Sequence, residues 1–237
     1  MRKILSQIYH SLRRIIETNI IGTKLEELIW STRHIWKGKK WLTEHWQSQH
    51  ERPRLKEMLK ERIAAHSPVN SILEIGCGAG QYLVYLQKFS PQTNFYGMDI
   101  NKKVIDFGAQ KIKEAGIKNI FLKSGRADDL SGFNDKSVDV VFTVALLIYV
   151  GKDKIEKTMR EILRVARKIV ILIEPAELPK NQDKSGLGRY NAGQWLRDYS
   201  NLVQRIGIPS ERIKTIKIPK DVWWNEPAGV NIIEIKL

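Results

Sequence analysis

From Ser71 onward, short apolar runs alternate with amphipathic stretches. Ser71–Ile75 reads as a strand, and helix-compatible spacing follows it, with Leu83 and Leu86 three apart. Asn94–Ile100 and Ile120–Lys123 read as the second and third strands, separated by a helix over Val104–Ala115 that Gly116 ends. Val138–Val144 and Lys168–Glu174 are the fourth and fifth strands, with a helix over Lys154–Ala166 between them. Strands that are apolar throughout, alternating with helices, predict a parallel sheet covered on both faces. A helix over Gln194–Ile206 precedes two strands, Arg212–Ile218 and Asn231–Leu237, with no helix between them. That places an antiparallel pair at the sheet edge.

The first 66 residues follow a different rule. Leu5, Ile8, Leu12, Ile15 and Ile16 share one helical face over residues 2–20. Thr23 with Glu26 three residues later has the form of a capping box. It opens a helix with Leu25, Leu28, Ile29 and Trp36 on its apolar side, ended by Gly38. Pro53 stands at a first helical position, and Leu55, Met58, Leu59 and Ile63 make that helix amphipathic up to Pro68. Two units follow: basic amphipathic helices over residues 1–66, serving as a lid or a membrane or partner contact, and an α/β domain over residues 67–237.

The joint between first strand and helix carries the chemistry. It reads Ile72-Leu73-Glu74-Ile75-Gly76-Cys77-Gly78-Ala79-Gly80. Glycines at alternate positions let the backbone approach a ligand with no Cβ in the way, and free N–H groups at a helix N-terminus face that ligand. A dinucleotide fingerprint would need a third glycine where Gln81 stands. Asp99 ends the second strand 19 residues after Gly80, where a Rossmann-like site places an acceptor for ribose hydroxyls. The stretch Gly125-Arg126-Ala127-Asp128-Asp129-Leu130 follows the third strand.

Taken in order, these motifs resemble those of class I S-adenosylmethionine (SAM) dependent methyltransferases, and of their small-molecule methyltransferase-11 group in particular. The resemblance spans residues 53–237 and is most specific over 71–150. It implies a doubly wound, mostly parallel seven-stranded sheet with an antiparallel edge strand, SAM as cofactor and S-adenosylhomocysteine as product. It places Glu74, Gly76, Cys77, Gly78, Gly80, Asp99, Ile100, Ala127, Asp128, Val144 and Ala145 against the cofactor. Arg126 departs from the pattern, because an acid usually stands there to recognise adenine and arginine has no acceptor to offer. The adenine contact then falls to the Ala127 backbone and to Asp128.

For the acceptor, the resemblance points to Tyr149 after the fourth strand and to Arg189, Tyr190, Arg197 and Tyr199 on the late helix, with Trp223 and Trp224 as a further wall. Methyl transfer needs alignment of donor and acceptor, plus a base if the nucleophile must lose a proton. His34, His45, Glu174, Tyr149 and Asp198 are candidate bases, and no motif selects one. The Thr143–Val150 segment has none of the motifs of amino methylation of DNA bases, and Cys77 belongs to the cofactor loop rather than to carbon-5 pyrimidine chemistry.

Composition adjusts this picture in two ways. A single cysteine rules out an internal disulfide, no Cys/His set has metal-site spacing, and a reducing, cytoplasmic setting is expected. Net charge is +14, and residues 1–66 hold half of it, with 14 basic against 7 acidic side chains. That excess suits an anionic neighbour: a membrane surface touched peripherally, nucleic acid or an acidic substrate. The expected activity is methyl transfer to a small-molecule or lipid-like acceptor. An RNA methyltransferase and a catalytically silent SAM-binding scaffold are the alternatives.

Overall fold

A computed structural model describes residues 23–47, 52–176, 186–191, 194–223 and 229–237. The helix expected over residues 2–20 and the side chains of Trp36, His45 and Trp224 lie outside the described residues.

Among the described residues, six α-helices and nine strands follow in order. Helix α1 is Lys24–Gln47 and α2 is Pro53–Ala64; β1 (Ser71–Ile75) leads into α3 (Gln81–Gln87). Then come β2 (Asn94–Asp99), α4 (Lys102–Glu114), β3 (Ile120–Ser124), β4 (Val138–Val144), α5 (Ile155–Val165) and β5 (Ala166–Ala176). The chain closes with β6 (Arg189–Asn191), β7 (Gln194–Leu196), α6 (Tyr199–Arg205), β8 (Ile213–Lys217) and β9 (Gly229–Lys236).

The main sheet has seven strands in the order β3-β2-β1-β4-β5-β9-β8. Strands β1 to β5 pair in parallel, while β9 runs antiparallel to both β5 and β8. The reversed strand is therefore inserted one place in from the edge, as expected of two strands joined without a crossover helix. Chain order reverses between β1 and β4, so the loops after these strands open a crevice at their C-terminal ends, where open α/β sheets bind ligands.

Side chains alternate between two cores on either face. Ile72, Phe142 and Ile171 pack with Leu55 and Leu59 of α2, Leu83 of α3 and Ile112 of α4. Leu73, Val141 and Leu172 pack with Met159 and Ile162 of α5 and Leu202 of α6. Central β5 is solvent-free from Ile169 through Ile173. Each such side chain contributes about 1.5–3 kcal/mol of burial, which the apolar run in the sequence signals.

Three expectations change. The helix expected over Gln194–Ile206 is shorter. Gln194–Leu196 forms strand β7, paired antiparallel with β6, and α6 begins only at Tyr199, its N-terminus capped by the Asp198 carboxylate accepting the Asn201 N–H at 3.0 Å. Trp195 and Leu196 are buried in this hairpin, where Tyr190 packs on Trp195. Second, Gly38 interrupts α1 with φ +71°, and helical turns resume beyond it to Gln47. Third, the expected apolar side of α1 is only partly covered: Leu28 is 59% exposed and Leu25 and Ile29 are half-buried, while Glu26 is 3% exposed. Glu26 and Glu27 line the crevice that α1 covers.

Candidate active site

The glycine loop works through its backbone. Gly76, Gly78 and Gly80 all have positive φ, between +55° and +86°, a region that a side chain would strain. Gly76 and Cys77 both donate N–H to the Met98 carbonyl, at 2.7 and 3.0 Å, so the loop folds back over the end of β2. Gly108 of α4 comes so close that a Cβ there would stand 2.4 Å from the Ala79 carbonyl oxygen. This helix-to-loop approach fixes the loop from behind.

Asp99 ends β2 with its carboxylate clasped by two backbone donors. Gly78 N–H reaches one oxygen at 3.0 Å and Asn101 N–H reaches the other at 2.8 Å. Burial pushes the Asp99 pKa up, and those two hydrogen bonds oppose the shift. Glu74 lies on β1 between Gly97 and Phe142, 2% exposed, with one carboxylate oxygen unpartnered. Burial first and Asp99 second raise its pKa well above the carboxylate range, against the pull of Lys56. The Cys77 thiol is also pushed well up, by burial and by both acids, so it is no thiolate nucleophile.

Two cavities meet at Gly76 and Ala145. The first is lined by Asp99, Ile100, Ala127, Asp128 and Tyr149, and is roofed by Glu26, Glu27 and Trp30 of α1. The second is lined by Glu74, Cys77, Gly78 and Val144, together with Trp41, Arg52, Lys56 and Tyr82. Ten of the eleven residues expected to hold the cofactor thus line one or both of these adjoining cavities. Gly80 stands behind it, in the left-handed conformation that starts α3.

An ion network closes the roof. Arg126 forks onto Asp128, Nε to Oδ1 and Nη2 to Oδ2 both at 3.0 Å, and its Nη1 reaches Glu27 at 3.2 Å. Lys154 donates to the other Glu27 oxygen at 2.5 Å. Burial alone would raise the Asp128 pKa; the Arg126 fork and Lys154 hold it below the usual value. The anomalous arginine therefore ties the loop after β3 to α1. Thr23 adds two bonds: its hydroxyl donates to Asp153 at 2.6 Å and accepts the Gly151 N–H at 2.8 Å. Asn101 donates to the Trp30 carbonyl at 2.8 Å, and the Trp30 and Tyr149 rings stand 4.6 Å apart.

Four of the five residues assigned to the acceptor do not reach this crevice. Arg189 is exposed on β6, and Tyr190 packs edge-on against Trp195 at 5.2 Å. Arg197 and Tyr199 are each 1% exposed. Arg197 donates to the carbonyls of Leu147 (2.7 Å), Val150 and Leu187 (2.6 Å). It holds the loop that carries Tyr149; it does not face an acceptor. Tyr149 alone of the five lines the crevice.

Glu174 grips the same loop from the other side. One oxygen accepts Thr143 Oγ1 at 2.8 Å, Leu146 N–H at 3.0 Å and Leu147 N–H at 3.1 Å. Between these grips Ala145 adopts φ +50°, a strained conformation for alanine, at the seam of the two cavities. Complete burial raises the Glu174 pKa to about 7, against those three bonds. The folded state then keeps a proton that the unfolded chain releases near pH 4.5, so stability falls as pH rises from about 4.5 to about 7. The loss amounts to about 3 kcal/mol over that window. Urea unfolding of Glu174→Gln should lack this component; wild-type and variant curves that run parallel from pH 4.5 to 7 would refute it.

Among the described residues no group of acidic, His or Cys side chains could hold a metal, and no helix is long and apolar enough to cross a membrane. Sequence reasoning misses Glu27, Trp30, Lys56 and Lys154. Their positions carry no motif: α1 brings Glu27 and Trp30 to the site, α2 brings Lys56, and Lys154 stands at the N-terminus of α5.

Residues 72–168 match the methyltransferase domain family model. Among curated proteins, tRNA (guanine-N(7)-)-methyltransferase of Oceanobacillus iheyensis is 32% identical over 71 residues, 30% of this chain and 33% of that protein. The Pediococcus pentosaceus enzyme of the same name is 30% identical over 138 residues, 55% of this chain and 61% of its own. The chain thus spans between a third and three fifths of these two relatives. Two solved structures share the fold. A SAM dependent methyltransferase from Aquifex aeolicus superposes with TM-score 0.52 at 17% identity, covering 75% of this chain and 89% of that one. Magnesium protoporphyrin IX methyltransferase from Synechocystis PCC 6803, with bound S-adenosylhomocysteine, gives 0.59 at 16%, covering 78% and 83%. Residues 72–168 thus match a methyltransferase domain, within a fold that the chain shares with SAM-dependent methyltransferases of the class I, Rossmann-like kind.

Proposed function

We propose that the protein transfers a methyl group from SAM to a small molecule that enters beneath α1. The observation that carries this reading is the pair of adjoining cavities at the C-terminal ends of β1, β2 and β4, lined by Trp30 and the Glu27 network in one and by Trp41 in the other.

SAM supplies an electrophilic methyl on a sulfonium centre. The chain's residues fit such a ligand part by part. Asp99, an acceptor already held in place by Gly78 and Asn101, suits a ribose diol. Glu74, with its unpartnered oxygen, and the Lys56 ammonium stand on one wall, suited to the amino and carboxylate groups of the methionine end. The backbone of Ala127 and the Asp128 carboxylate, steadied by Arg126, face the base. The loop at Ala145–Tyr149, clamped by Glu174 and Arg197, sets the approach to the reacting centre. The N–H groups of Gly76, Cys77 and Gly78 are already bonded to the Met98 carbonyl and Asp99, so the glycine loop serves close packing against the ligand. α1 acts as the lid: its fastenings to Asp153, Arg126 and Lys154 must loosen for exchange.

An RNA acceptor is the second reading, favoured by the activity for which the curated relatives are named and by net charge +14. The roof over the crevice speaks for a small acceptor, since a nucleotide within an RNA chain needs an open approach. Incubation with methyl-labelled SAM and cell extract, followed by separation into RNA, protein, lipid and small-molecule fractions, tests this. Label in the small-molecule or lipid fraction is expected. Label in RNA alone, with binding that weakens steeply as salt rises, would establish the second reading.

A further inference from the structure

Arg33 on α1 stacks over Trp30 with its guanidinium 4.1 Å from the ring centre, and lies 6.0 Å from the Trp41 ring. Trp30 lines the cavity that holds Asp99, and Trp41 lines the cavity of the glycine loop. Arg33 thus lies against one wall residue of each cavity, without lining either cavity itself.

Its Nε is buried and has no hydrogen-bond partner, and among the described residues no carboxylate or carbonyl pairs with its guanidinium. Two other arginines near the site are committed. Arg126 forks onto Asp128, and Arg197 serves three carbonyls. The indole faces hold the guanidinium by cation–π attraction, while its buried Nε–H still has a hydrogen bond to give. A guanidinium is a planar fork matched to an oxyanion, and indole faces receive a flat apolar body.

We infer that Arg33, braced by Trp30 and Trp41, anchors a carboxylate or phosphate group on the methyl acceptor, whose flat apolar part lies against the indoles. This rests on the small-molecule reading above and narrows it to anionic acceptors.

The test has two arms. In the first, label transferred from SAM into the small-molecule fraction is passed over an anion-exchange resin. The labelled product is expected to be retained. Arg33→Gln should cut its formation about tenfold or more at limiting extract, Arg33→Lys should restore part of it, and S-adenosylhomocysteine affinity should stay within about threefold. Small-molecule label that passes through the resin overturns this inference alone, as does an Arg33→Gln variant at wild-type rate. Label confined to RNA overturns the small-molecule reading with it. The second arm needs no natural acceptor. Tryptophan fluorescence of the protein loaded with S-adenosylhomocysteine is followed during titration with benzoate, phenyl phosphate and uncharged benzyl alcohol. The anions should bind about tenfold tighter than the alcohol, and Arg33→Gln should abolish the difference. Equal binding of all three would overturn the proposal.

Discussion

Asp99→Ala is expected to weaken SAM and S-adenosylhomocysteine binding at least about 100-fold in isothermal titration. Two ribose hydroxyls on one carboxylate are charge-assisted bonds of about 1.5–3 kcal/mol each, and the lower figure for both already gives two orders of magnitude. The same change leaves the Gly78 N–H without its acceptor at 3.0 Å, and so loosens the glycine loop from the end of β2. Asp99→Asn separates the two effects. Its amide nitrogen would have to face either the Gly78 or the Asn101 N–H, donor against donor, so it should rescue little. Stability should change less than affinity, because burial holds the Asp99 pKa above its ordinary value and makes its charge costly in the empty protein. Wild-type affinity in Asp99→Ala would remove the basis for the cofactor assignment.

Arg197→Met is expected to destabilise the fold by about 3–5 kcal/mol, read from urea unfolding. The side chain is 1% exposed and serves the carbonyls of Leu147, Val150 and Leu187, which no water can replace without opening the core. Gly188 allows this arrangement: a Cβ there would stand 2.5 Å from Arg197 Cγ. Arg197→Lys keeps the charge but has one nitrogen where three carbonyls converge from different directions, so it should recover only part of the loss. Because Leu147 and Val150 flank Tyr149, cofactor affinity measured on the folded fraction should fall as well. A variant as stable as wild type would show that the loop is held by its apolar contacts alone.

Much of the site is legible in the amino-acid sequence because its determinants are local. Gly76, Gly78 and Gly80 are glycines because the loop needs positive φ at each, a property of the backbone at that residue. Asp99 follows from strand length and spacing, and the parallel sheet follows from runs such as Ile169–Ile173 that can only be buried on both faces. The acceptor side is misleading because a sequence names a residue type without its direction. Arg197 and Tyr199 have the look of ligands on a surface helix, yet a short hairpin at β6–β7 turns them under the Tyr149 loop. Leu28 has the spacing of a core residue and faces solvent, while the acidic Glu26 and Glu27 face the crevice.

Strand–helix alternation, the glycine loop and Asp99 can thus be read along the chain, since each depends on neighbours within a few residues or on a fixed period. Which charges meet is a matter of the folded chain. Glu27 finds Arg126 99 positions away and Lys154 127 away, and Arg33 comes to lie between two tryptophans with no carboxylate to meet it among the described residues. Such pairings arise from how α1 crosses the ends of the strands, an angle set by long-range packing and by the interruption at Gly38, on which local periodicity is silent.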